Sequence, residues 1–159
     1  MSELSGRIAT IVEKAALGVF ETMAGVECRP VSQGEDASDI EVHGVGGFVQ
    51  FAGPLSGVVY LLMSEKTAAR VTNNMLGTTD AGPNEVKDVV GELTNMVAGG
   101  LKNDLAAAGF DSKLTIPSFI RAENSRICVR NVSVATRNVI QIPGEEFNLQ
   151  VRVLAREVA

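Results

Sequence analysis

Glu92 and Asn95 stand three residues apart in the stretch DVVGELTNMVAGGLKNDL, Asp88 to Leu105. The first is a carboxylate that can meet a cation; the second is an amide, donor and acceptor at once and uncharged. Side chains at i and i+3 are neighbours on a helix, so the two would project together. At about 100° per residue, Val86, Val90, Leu93, Val97 and Leu101 fall within roughly 80° of one another and must face a core. Asp88, Glu92, Asn95, Gly99 and Lys102 share a similar arc on the opposite side.

Any amphipathic helix shows a polar face to water, and that reading applies here too. Two details count against it. Asn is a weak residue for a helix interior, and Gly99 costs about 1 kcal/mol relative to alanine. A face this bare lets another backbone or protein surface approach closely.

The elements that must hold this helix follow from periodicity. A first helix is predicted from Ser5 to Met23, where Ile8, Ile11, Val12, Ala15, Val19 and Met23 recur at spacings of three and four. AGVECRPV leads into a short strand, and Ser32 to Asp39 read as a polar, acidic loop. From Ile40 the period changes to two. IEVHGVGGFVQFAG reads as a hairpin turning at its glycines and GVVYLLMS as a buried strand. Ser64 can cap and Gly77 can end a second helix, and Asn84 is a fair N-cap for the helix that carries the pair.

After Gly109 strands return, as KLTIPSFI, RICVRNVSVAT with RNVIQIPG, and EEFNLQVRVLARE. In the last, Phe147, Leu149, Val151 and Val153 alternate with Asn148, Gln150 and Arg152, as in a sheet with one covered face. This order indicates an α+β domain spanning 1–159 in two similar halves. ETMAG and TNMVAG echo each other across those halves, although the first half has no Glu-x-x-Asn pair.

Composition narrows the function. With a net charge of −5 and no long run of Lys or Arg, nucleic acid is not an expected partner. The longest apolar runs are strand-sized, short of the roughly 20 residues that span a bilayer. The opening MSELSGRIATIVEK has no continuous apolar core of a signal peptide, so a cytoplasmic location is expected. Cys28 and Cys128 read as small buried hydrophobes, and with one histidine, His43, no metal-ligand cluster can be assembled from His and Cys; composition leaves a carboxylate-bound Mg²⁺ open, but nothing points to one. HGVGGFV lacks the Lys-Ser/Thr of a phosphate loop, and no nucleophile motif or catalytic triad is present.

Asp88, three residues, Glu92, two residues, Asn95 and, after 21 more, Pro117 form a pattern rather than a lone pair. In type and spacing it resembles the signature of the CheC/CheX/FliY family of bacterial chemotaxis phosphatases. The surrounding GELTNMVAGGLKNDL, the earlier VFETMAG and the single copy of the signature are most similar to its CheX branch. The resemblance runs from the first helix to the closing strands. It implies long helices packed on an antiparallel β-sheet, and homodimers formed through strands. It also implies hydrolysis of the aspartyl phosphate of a CheY-type response regulator.

On that resemblance Glu92 would pair with the regulator's active-site lysine, and Asn95 would enter the phosphorylated pocket and orient the attacking water. The protein would bring no cofactor or metal of its own, the Mg²⁺ being supplied by the regulator. An acyl phosphate is already reactive, so positioning dominates over proton abstraction. An amide suits this work, as the water-positioning glutamine of GTPases does, whereas a carboxylate at position 95 would repel the phosphoryl group. Asp88, Gly99 and Lys102 would face the partner. Asp88 would add negative potential or merely favour the helix amino terminus. Lys87 and Lys102 are expected to contact acids of their own helix, and Pro117 to fix the start of a strand. The alternative is a non-catalytic dimer that binds a response regulator or another signalling partner. Sequestration of Asn95 by Arg or Lys neighbours would favour that alternative.

Overall fold

In the computed structural model, which describes residues 2–158, the apolar stripes of two long helices close onto one face of an antiparallel sheet. The elements follow in the order α1 (Glu3–Thr22), β1 (Arg29–Glu35), β2 (Ile40–Ala52), β3 (Leu55–Met63), α2 (Glu65–Leu76), α3 (Pro83–Ala107), β4 (Lys113–Leu114), β5 (Ser118–Ile127), β6 (Val134–Gln141) and β7 (Leu149–Glu157). The seven strands run β1-β6-β7-β3-β2-β4, with β5 also paired to β2. This is the expected α+β architecture of long helices on an antiparallel sheet.

The two halves are legible in the strand order. Exchanging β1 with β5, β2 with β6 and β3 with β7 turns the path β1-β6-β7-β3-β2-β5 into its own reverse. The helices follow the same exchange. The buried residues of α1, Ser5, Ile8, Ala9, Val12, Ala16 and Phe20, fall in step with Val90, Leu93, Thr94, Val97, Leu101 and Leu105 of α3, all buried. The helices cross closely, because a Cβ on Gly100 would lie 2.9 Å from the Ala15 Cβ.

Local chemistry sets most ends as expected. Ser64 caps α2 by accepting from the Thr67 N–H at 3.1 Å, and Gly77 ends it in the left-handed conformation. For α3 the cap is Gly82, not Asn84. Pro83 follows at the first helical position, and the Glu85 carboxylate accepts from the Gly82 N–H at 3.0 Å.

Several strand expectations are corrected. IEVHGVGGFVQFA is one continuous strand of 13 residues, β2, and the turn falls after it at Gly53 and Pro54. Its glycines serve close approach instead. A Cβ on Gly47 would collide with the Thr94 hydroxyl and lie 3.2 Å from the Val90 carbonyl, so α3 rests directly on β2 there. Ser32 to Glu35 belong to an edge strand paired with β6, because pairing outweighs their polar composition. KLTIPSFI divides at Pro117 between β4 and β5, and Cys128 to Ser133 run irregularly between β5 and β6, with Asn131 at φ 56°.

Nor is only one sheet face covered. Arg152 is buried, donating to the carbonyls of Asp36 at 2.8 Å, Ser38 at 2.9 Å and Thr136 at 3.3 Å. A smaller cluster, including Ile40, Val42, Leu62 and Leu154, lies apart from the main core, and Phe147 is exposed outside β7.

Candidate functional site

Helix α3 presents the faces expected of it. Val86, Val90, Leu93, Val97 and Leu101 are buried, while Asp88 and Glu92 are exposed and Asn95, Gly99 and Lys102 are partly exposed. The register is held from beneath. Thr94 turns its hydroxyl back to the Val90 carbonyl at 2.7 Å and stands over Gly47, and the Gly100–Ala15 approach pins the next turn. With these inward contacts fixed, Glu92 and Asn95 can only look outward.

Among the described residues, the side chains of Asp88, Glu92 and Asn95 make no hydrogen bond or ion pair. No Arg or Lys of the described chain holds the amide. The expected contacts of Lys87 and Lys102 with acids of their own helix are also absent there, as befits exposed pairs worth about 0–1 kcal/mol. Asp88 and Glu92, one turn apart, are like charges that cost a helix a few tenths of a kcal/mol. The fold gains nothing from this pair. Asp88 lies beyond the first turn, where Glu85 already complements the amino terminus.

Gly99 and its neighbour differ sharply. Gly100 has no side chain because α1 passes there, whereas a Cβ on Gly99 would meet nothing within 4 Å. Packing within the chain therefore gives no reason for Gly99. None of the main cavities is lined by Glu92 or Asn95; the pair stands on a helix ridge, suited to entering a partner's pocket rather than forming one.

Pro117 is drawn to the same place. Its Cβ and Cγ lie 3.7 Å from where a Gly91 Cβ would be, and Gly91 is flanked one turn away by Asp88 and Asn95. The 21 residues between Asn95 and Pro117 thus close a loop that returns to the same helix face. The symmetry-related face of α1 carries Arg7 and Thr10, both exposed, in place of Glu92 and Asn95. Only the second half carries the acid–amide pair.

Neither thiol belongs to this site. Cys28 is buried; burial first, then the charges of Glu21 and Glu27, push its pKa up to about 11. Cys128 is exposed, contrary to the expectation that both cysteines are buried.

An α+β domain with these helices on this sheet falls in the CheC-like structural class. Solved structures with this fold include a CheC-like superfamily protein from Shewanella sp. PV-4, at 25% identity and TM-score 0.80, covering 98% of this chain and 99% of that one. A chemotaxis protein CheX from Desulfovibrio desulfuricans, at 24% identity, has TM-score 0.83 with coverage of 94% and 99%. CheX of Borrelia burgdorferi, solved as a complex with CheY, BeF3 and Mg²⁺, is 26% identical with TM-score 0.77, covering 93% and 97%. No curated protein sequence matches the chain significantly. The family model for chemotaxis phosphatase CheX matches residues 45–143, more than half of the chain, and the chain belongs to that family.

Proposed function

We propose that this protein dephosphorylates the aspartyl phosphate of a CheY-type response regulator, with Asn95 orienting the attacking water and Glu92 docking on the regulator's lysine. The observation that carries this reading is the outward pair with no partner of its own. Glu92 and Asn95 share one helix ridge over a rigid floor, and no described neighbour satisfies them. The Borrelia CheX complex, in which a relative is bound to CheY, supports the choice of partner. The regulator's own Mg²⁺ neutralises the phosphoryl oxygens; what this chain adds is reach and orientation.

Asn95 can do this without changing charge. Its carbonyl accepts from the water while its NH₂ donates to an oxygen of the phosphoryl group or pocket, which holds the water in line. Glu92, one turn away, meets a lysine ammonium as docking excludes water, where such a pair gains strength. Asp88 adds to the negative potential that draws the ammonium in, and Lys102 and Gly99 extend the contact face. The protein acts in the cytoplasm as a homodimer through one of its edge strands, β1 or β5, whose backbones have a free side.

The deciding experiment follows phosphate release from an acetyl-phosphate-treated receiver with and without the protein. Faster loss supports the phosphatase, and binding without acceleration overturns it in favour of a non-catalytic regulator-binding dimer. Gly99 gives a second check. Gly99→Ala should stabilise the fold by about 1 kcal/mol, roughly 2–4 °C in Tm, because the helix gains and nothing is displaced. Gly99→Gln should keep the fold yet raise the KM for the receiver severalfold. A Gly99→Gln variant that docks like wild type removes Gly99 from the contact face.

A further inference from the structure

Ile116 is 85% exposed, the most exposed of the large apolar side chains among the described residues. It does not sit on a loose tip. On one side Thr115 is tied to β2, its N–H donating to the Gln50 carbonyl at 2.9 Å and its hydroxyl accepting from the Gln50 N–H at 3.1 Å. On the other side Pro117 has a ring-fixed φ and lies against Gly91 of α3. Ile116 is thus exposed between two anchors, one residue from the Pro117 that lies against Gly91 in the helix row Asp88, Gly91 and Asn95.

We infer that Ile116 is an apolar anchor for the receiver domain, seated on an apolar patch beside the phosphorylated pocket, and that it helps to choose which receiver docks. The inference rests on the function proposed above. A receiver that admits Asn95 must close over the ridge, and Pro117 and Ile116 are the next surface it meets. The occupant is therefore the receiver itself, by continuity with that contact. The division of labour is chemical. Glu92 recognises a lysine that any receiver of this type offers, so it discriminates little. An exposed apolar side chain discriminates by what lies opposite, because an apolar patch accepts it and a charged one does not.

Desolvating one isoleucine corresponds to roughly a 10- to 100-fold change in affinity. The test measures KM and kcat for receiver dephosphorylation, and Kd for a beryllofluoride-loaded receiver, across a graded series. Ile116→Val should raise KM and Kd about fourfold, for one lost methylene. Ile116→Ser should raise both by about tenfold or more, and Ile116→Glu further still. Throughout, kcat and Tm should hold, since the side chain serves neither the chemistry nor the core. Unchanged KM and Kd in the Ser and Glu variants, or a loss confined to kcat, would overturn the anchor while leaving the phosphatase intact. A wild-type protein that does not shorten the phosphate lifetime fells the functional reading first, before any variant is compared.

Discussion

Asn95→Ala should leave the receiver docked and its phosphate nearly as long-lived as in the absence of this protein. The amide is the only group on the ridge that can both accept from and donate to the reacting assembly, and the proposed chemistry asks for little else. Losing one oriented contact of this kind typically removes about 2–4 kcal/mol of transition-state stabilisation, roughly 30- to 1000-fold in kcat. The KM for the receiver should move little, because Glu92 and the surrounding face remain. The variant should fold normally, since Asn95 makes no hydrogen bond among the described residues and alanine is the better helix former. Asn95→Asp sharpens the point. It is nearly isosteric, but in the proposed complex its charge would face a phosphoryl group, so it should be at least as defective as alanine. Single-turnover decay of the phosphorylated receiver at saturating enzyme reads the effect directly. An Asn95→Ala protein that matches wild type would remove the amide from the reaction.

That the ridge could be found before the fold was known follows from helical periodicity. Val86, Val90, Leu93, Val97 and Leu101 fix which side of α3 is inward, and the outward side follows without any knowledge of the sheet. Ser64 and Gly77 were equally legible, because a cap is a local event between residues a few positions apart. The glycines of β2 were not. Glycine permits both a turn and a close approach, and the partner that decides for Gly47 is Thr94, on another element. Ser32 to Glu35 misled for a related reason: an edge strand can be polar on both faces when a neighbour supplies its hydrogen bonds. Arg152 looked like the solvent-facing member of an alternating strand. Its burial is made tolerable by carbonyls of Asp36, Ser38 and Thr136 and by the Asp36 carboxylate, groups that lie outside its own strand. Ile116 was hidden in KLTIPSFI, which reads as one ordinary strand, whereas it falls exposed in the break between Leu114 and Ser118.

The symmetry of the fold constrains the inward faces of its two long helices and leaves the outward faces free to differ, so the proposed site need occur only once. The inward stripes of α1 and α3 match position for position, since both must pack on equivalent strands. Their outward faces are under no such constraint, and Arg7 and Thr10 differ in charge and reach from Glu92 and Asn95. An arginine at the position of Glu92 would repel a receiver lysine. The proposed docking mode would therefore not be open to the α1 face.

Glu92→Lys should abolish docking at concentrations where the wild-type protein is saturated, while leaving the chemistry itself available. In the proposed complex the wild-type carboxylate meets an ammonium that becomes desolvated on contact; reversing its sign would set two cations together in the same place. Disrupting one partner of such a pair at an interface costs about 2–5 kcal/mol, roughly 30- to several-thousand-fold in KM. The fold should be unharmed and slightly steadier, because a lysine one turn after Asp88 replaces a like-charge neighbour with an opposite one. Extrapolated to saturating receiver, kcat should fall far less than in Asn95→Ala, since the amide proposed to orient the water is still in place in whatever complexes form. Salt separates the two proteins further. Raising ionic strength screens attraction in the wild type and repulsion in the variant, so their KM values should converge. A receiver whose lysine is replaced by glutamate should recover part of its affinity for the Glu92→Lys protein and lose it for wild type. An unaltered KM in Glu92→Lys would mean that the docking contact is made elsewhere on the ridge.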